Sequence, residues 1–176
     1  KSFATRLAKT TGLPFNEEAH TTEHSIEVQL PFLQFSCRDY IDKIRFVAIM
    51  ISRDINYHEI GAKIKDIISD KRVCVIASSD FTHYGFNYGY VPFYTNIKEN
   101  IYNLDKEAIE IIREKNASKF LSYVDKKEAT ICGAYPIAIL LESIDAEKIE
   151  LLQYYTSGDV IGNYNNAVGY AAIVFK

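Results

Sequence analysis

Asp80 and His83 stand three positions apart in Ser-Ser-Asp-Phe-Thr-His (78–83), directly after the apolar run at 73–77. A carboxylate that close to an imidazole can fix the ring's tautomer or share a proton with it, and either ring nitrogen can then act as base or metal ligand. The plainer reading is that Ser79 and Asp80 cap a turn after a strand and His83 is a satisfied loop histidine. Cys132 raises a second question. With Gly133 it precedes an apolar helical stretch, where free N–H groups and the helix dipole would stabilise a thiolate as nucleophile or soft ligand. Most lone cysteines are instead small buried hydrophobes. By that standard Cys74, inside an apolar run, reads as core, and Cys37 carries no signal. The third group is His20, Glu23, His24 and Glu27. Two histidines four apart bind zinc only on a helix, the order is not H-E-x-x-H, and Thr21-Thr22 favour a loop or cap. A capped helix start with Glu23 complementing the dipole is the competing reading. His58 reads as solvated.

These residues need elements to hold them. The runs 45–52 and 72–79 are short, apolar and rich in Val and Ile, which suits strands covered on both faces. Between them Ile60, Ile64, Ile67 and Ile68 recur at helical spacing. Strand, helix, strand predicts a βαβ unit with parallel strands and a right-handed crossover. Ligands in such sheets bind beyond the carboxyl ends of the strands, where 78–83 falls. Ile97, Ile101, Leu104, Ala108, Ile111 and Ile112 form one helical stripe. Phe120, Leu121 and Val124 mark a shorter helix, and Ile137, Leu140, Leu141 and Ile144 another. The tail holds two strand candidates, at 148–158 and 166–176, with Gly169 permitting close packing. The expected class is α/β, a layered, mostly parallel sheet with helices on both faces, in one domain over residues 1–176. Residues 23–35 fit helix and strand equally well, and Pro31 has no N–H to donate.

Composition narrows the function. A formal charge of −3 argues against a general nucleic-acid binder. No apolar run reaches the ~18 residues of a membrane span, and no signal-peptide core stands at the start. Three cysteines without framework spacing fit reduced thiols in a reducing compartment. The expected location is therefore cytoplasmic. The only methionine is Met50, so a chain starting at Lys1 is expected to be trimmed or part of something longer. No phosphate loop or G-x-S-x-G occurs.

Taken together, Glu-His-Ser-Ile-Glu-Val-Gln-Leu-Pro-Phe-Leu (23–33), Ser-Ser-Asp-Phe-Thr-His-Tyr-Gly (78–85) and Thr-Ile-Cys-Gly-Ala-Tyr-Pro-Ile (130–137), in this order, resemble the Memo family over nearly the whole chain. The resemblance favours a helix over 23–35. It implies a fold similar to the LigB-like class III extradiol dioxygenases, which are non-haem iron enzymes, and metal-linked redox chemistry or, in animals, a peptide-binding adaptor role. Residue by residue it implies Asp80 and His83 as catalytic, Cys132 as a metal ligand for Fe, Cu or Zn, and Glu23, His24, Glu27 and Ser79 as pocket lining. The family's other metal-ligating histidines lie in motifs that this chain lacks. A missing N-terminal segment would leave a sheet edge uncovered, inviting self-association or a partner chain. Three functions stay open: a metal-dependent oxidoreductase, a module binding a peptide or small molecule without turnover, and a metal-free cysteine enzyme pairing Cys132 with His83. The Tyr-rich stretch 83–94 would supply contact area for the second.

Overall fold

A computed structural model describes residues 2–176. Helix α1 (Ser2–Thr11) leads into loops and short 3-10 turns, then α2 (Leu30–Ser36) and α3 (Tyr57–Ile68). Strand β1 (His83–Gly85) follows, then α4 (Ile97–Arg113), α5 (Ala117–Lys127), α6 (Ala134–Ser143), β2 (Ile149–Thr156), the short α7 (Ser157–Ile161) and β3 (Asn166–Phe175). The class is mixed α/β, and the sheet has three strands in the order β1-β3-β2, antiparallel at both pairings.

Helical periodicity places α3 to α6 where the apolar stripes lie. Asn56 caps α3 and Asn116 caps α5 through their side-chain oxygens, each satisfying an N–H with no partner inside the helix. Ala108, Ile109 and Ile112 of α4 meet Phe120 of α5 and Ala138 of α6 in one core, all nearly or fully buried, while Ile101 of the same stripe packs with Tyr84 and Ala167. Residues 23–35 resolve as a 3-10 turn (Glu27–Gln29) running into α2, with Pro31 in the first helical turn. There its missing N–H leaves no internal bond unmade. The helix expected from residue 23 thus starts later.

The runs 45–52 and 72–79 do not form the expected parallel strands: neither carries helix or strand hydrogen bonding. The physical reason is the want of a ladder partner, since a strand is defined by its neighbour. Several of their apolar side chains lie open, with Phe46 63% and Ile76 53% exposed, while Ile51 is half-buried against Ile60, Ile64 and Ile139. Cys74, expected in the core, is exposed for the same reason. No helix among the described residues is long and apolar enough to cross a membrane.

The β2–β3 connection is tied by Asp159. Its Oδ2 accepts the Thr156 N–H and hydroxyl, each at 2.8 Å, and the Thr156 hydroxyl in turn accepts the Asp159 N–H. Tyr102 and Lys98 of α4 add a hydroxyl at 2.6 Å and an ammonium at 2.7 Å, and Tyr164 donates as well. Burial works to raise the Asp159 carboxyl, but the donors, led by Lys98, outweigh it and hold the group well below the usual carboxylate range. The unfolded chain, with an aspartate pKa near ~3.9, takes up this proton first, so the contribution is full above that pH and lost as pH falls toward the native value. Asp159→Asn is expected to cost about 2 kcal/mol at neutral pH. It should also flatten the fall in urea midpoint below about pH 4; an unchanged acid limb would refute this.

Candidate metal centre

The segment 79–83 runs between two partners. On one side the Phe81 N–H donates to the Gly169 carbonyl (2.9 Å) and the Gly169 N–H to the Thr82 carbonyl (3.0 Å), and β1 continues the pairing with β3 from His83 opposite Val168. On the other side lies 130–133, just ahead of α6. The His83 N–H donates to Thr130 Oγ1 (2.8 Å), and the Thr130 hydroxyl donates back to the His83 carbonyl (2.9 Å). The Asp80 N–H donates to Cys132 Sγ (3.2 Å), and the Gly133 N–H donates to Ser79 Oγ (2.9 Å). Gly133 is required by that approach, because a Cβ there would fall on the Ser79 side chain.

The ring of His83 is oriented by the same neighbour. Its Nδ1 lies 2.8 Å from the Thr130 carbonyl, an acceptor only, so Nδ1 carries the hydrogen and in the neutral ring Nε2 keeps its lone pair. Nε2 faces Asp80 Oδ2 at 3.8 Å. Tyr88 packs its ring edge-on to His83, with centroids 5.2 Å apart. Burial and then the charge of Asp80 push the Tyr170 phenol up.

Asp80, His83 and Cys132 each bring one possible ligand atom to the same place, the three lying within 4.8 Å of one another. An O/N/S set of this kind suits a borderline transition ion, with bonds of about 2.0–2.3 Å, after a small inward movement. A thiolate excludes Mg and Ca as natural occupants. Three protein donors leave positions open on a four- to six-coordinate ion. Asp80 and Cys132 reach solvent, so the centre is an open wall rather than a closed cage.

The residues from 23 to 29 connect differently. The Glu23 carboxylate turns back to accept the His24 and Ser25 N–H groups at 2.8 and 2.7 Å, and these bonds hold it below its ordinary value. The His24 side chain is 80% exposed. Contact with the site loop runs through Ser78, whose hydroxyl donates to the Ser25 carbonyl and accepts from Gln29. His58 pairs with Glu142 at 2.9 Å and packs its ring on Tyr57, with centroids 4.1 Å apart, its side chain still 57% exposed.

Two further residues that the sequence does not single out as functional touch the turn: Thr130, bonded to the His83 backbone and ring, and Asp105, whose carboxylate accepts the Thr82 N–H and hydroxyl. A signal for Asp105 exists: it falls on the face of α4 that carries Ile101, Ala108 and Ile112, an acid on an apolar stripe.

A mixed α/β chain with a Ser-Ser-Asp-x-Thr-His turn held against Thr-Ile-Cys-Gly defines a Memo-like protein. The family model described as Memo-like protein matches residues 1–174, and the chain belongs to the Memo family. It is 37% identical to a MEMO1 family protein of Methanopyrus kandleri, over 99% of this chain and 59% of that protein. A MEMO1 family protein of Methanosarcina acetivorans is 36% identical over 92% of this chain and 58% of its own length. One from Methanocaldococcus jannaschii is 37% identical over 92% and 55%. The chain thus spans under two thirds of the length of these relatives.

Proposed function

We propose that this chain carries one wall of a metal-dependent centre of the non-haem dioxygenase type, in which Asp80, His83 and Cys132 hold a single Fe, Cu or Zn ion, with redox chemistry open to it when the ion is Fe or Cu. The observation that carries this is the convergence of the three donor atoms within 4.8 Å. When bound, the ion would supply Lewis-acid and, for Fe or Cu, electron-transfer chemistry. The chain's own groups do the rest: Thr130 presents Nε2 of His83, and the Asp80 N–H points a donor at the Cys132 sulfur. Glu23, His24, Glu27 and Ser79 are proposed to line the approach, with His24 free to meet an incoming small molecule from solvent. Titration with Co(II), whose thiolate charge-transfer band reports sulfur ligation, tests the reading. One equivalent with that band supports it; binding without the band overturns the role of Cys132.

A second reading has its own support. Phe86, Tyr88 and Tyr94 of the Tyr-rich stretch stay exposed, and a cavity of about 350 Å³ opens between Tyr84, Phe86, Val91, Tyr94, Ile97 and Asn166. Such a surface fits an aromatic-lined peptide or small-molecule module. Metal-independent peptide affinity would favour it over the first reading.

The runs 45–52 and 72–79 are proposed to gain strand partners on association, toward the layered, mostly parallel sheet expected from the sequence. A second copy of the chain is the occupant, because each copy presents the same unpaired apolar edges. Light scattering after gel filtration should give a dimer mass that Phe46→Asp returns to monomer; a monomeric parent protein would overturn this.

A further inference from the structure

Asp105 is the one fully buried carboxylate among the described residues. Its Oδ1 accepts the Thr82 N–H at 3.1 Å and the Thr82 hydroxyl at 2.5 Å, and its Oδ2 accepts the Tyr154 hydroxyl at 2.6 Å. A Cβ on Gly169 would fall on Oδ2, so β3 closes over the carboxylate with no space to spare. Burial pushes this carboxyl up against the three bonds that pull it down.

Thr82 stands between the two candidate ligands Asp80 and His83. Every polar group it has is committed, the carbonyl to Gly169 and the other two to Asp105. Backbone pairing with Gly169 and the bonds to the Thr130 hydroxyl would hold a plain strand here. An acid on an apolar helix face is costly for that purpose alone, since well-packed hydrophobic groups stabilise as well or better. Two bonds from one residue to one carboxylate oxygen, with the other oxygen pinned by Tyr154, fix the Thr82 peptide plane. That plane decides where the side chains on either side of it point.

We propose that Asp105 is the positioning residue of the metal centre, setting the directions of Asp80 and His83 through Thr82. The inference rests on the metal reading for its ligand but not for its geometry, and the test separates the two. Long-range proton–nitrogen NMR of the neutral His83 ring reads the tautomer without metal; Co(II) titration reads the assembled site. Parent protein and Thr82→Ser, which keeps the hydroxyl, should show a single Nδ1–H tautomer. Asp105→Asn and the isosteric Thr82→Val should show mixed tautomers and bind Co(II) about tenfold or more weakly. Asp159→Asn, weakened elsewhere, serves as the control and should keep the parent spectrum and affinity. If Asp105→Asn does not fold, Thr82→Val and its rescue by Thr82→Ser decide. Folded variants with the parent tautomer, or equal mixing in Asp159→Asn, would overturn the proposal. The expected tautomer pattern in a protein that binds no Co(II) would leave Asp105 in its role and remove the metal reading instead.

Discussion

Cys132→Ala should lower transition-metal affinity by about 100-fold or more, the largest effect expected of any single change at the site. The thiolate is the only soft donor in the set, and removing one of three protein ligands takes away far more than the 10- to 100-fold typical of an outer contact. Elemental mass spectrometry after chelator-free purification measures it, with the parent protein retaining metal and the variant losing it. The fold should survive, because Cys132 is exposed and its α6 start is held by the Gly133 N–H on Ser79. Equal metal in both proteins would place the ion elsewhere.

Phe120→Ala is expected to cost about 4 kcal/mol, read as a shift in urea midpoint at constant slope. Phe120 is fully buried where α4, α5 and α6 meet. The cavity would open in a helical core that rigid neighbours cannot collapse into. A domain of this size has only ~5–15 kcal/mol in total, so the loss is a large fraction of its stability. Phe35, 71% exposed on α2, supplies the contrast, since its replacement by alanine should change stability by less than about 0.5 kcal/mol. Comparable losses at both positions would show that the core is drawn in the wrong place.

Local rules made much of this legible. The stripes of Ile60, Ile64 and Ile67 and of Ile101, Ala108 and Ile112 gave their helices because a helix satisfies its own backbone. The two tail strands were readable from alternation and flanking Gly and Asn. Pairing was not, because a strand's partner is set by non-local contacts: the runs at 45–52 and 72–79 look like buried strands by composition, yet no ladder reaches them among the described residues. Cys74 inherited that misplacement.

The candidate site divides along the same line. Asp80, His83 and Cys132 stood out as residue types at suggestive positions, and the structure brings all three together, although Cys132 lies 52 positions beyond Asp80 in the sequence. Family resemblance assigned Asp80 and His83 to catalysis and Cys132 alone to the metal. Their shared geometry makes all three candidate ligands. Thr130 and Asp105 escaped because a threonine beside a cysteine and an acid within a helix have ordinary explanations until their partners are known. Only the tertiary structure supplies those partners, Thr130 to the backbone and the ring of His83 and Asp105 to Thr82.

X-ray absorption at the edge of the metal retained by the parent protein tests the central claim most directly. One sulfur scatterer near ~2.3 Å with nitrogen or oxygen near ~2.0–2.1 Å, the sulfur lost in Cys132→Ala, is the predicted result. A shell of nitrogen and oxygen alone in the parent protein would contradict it.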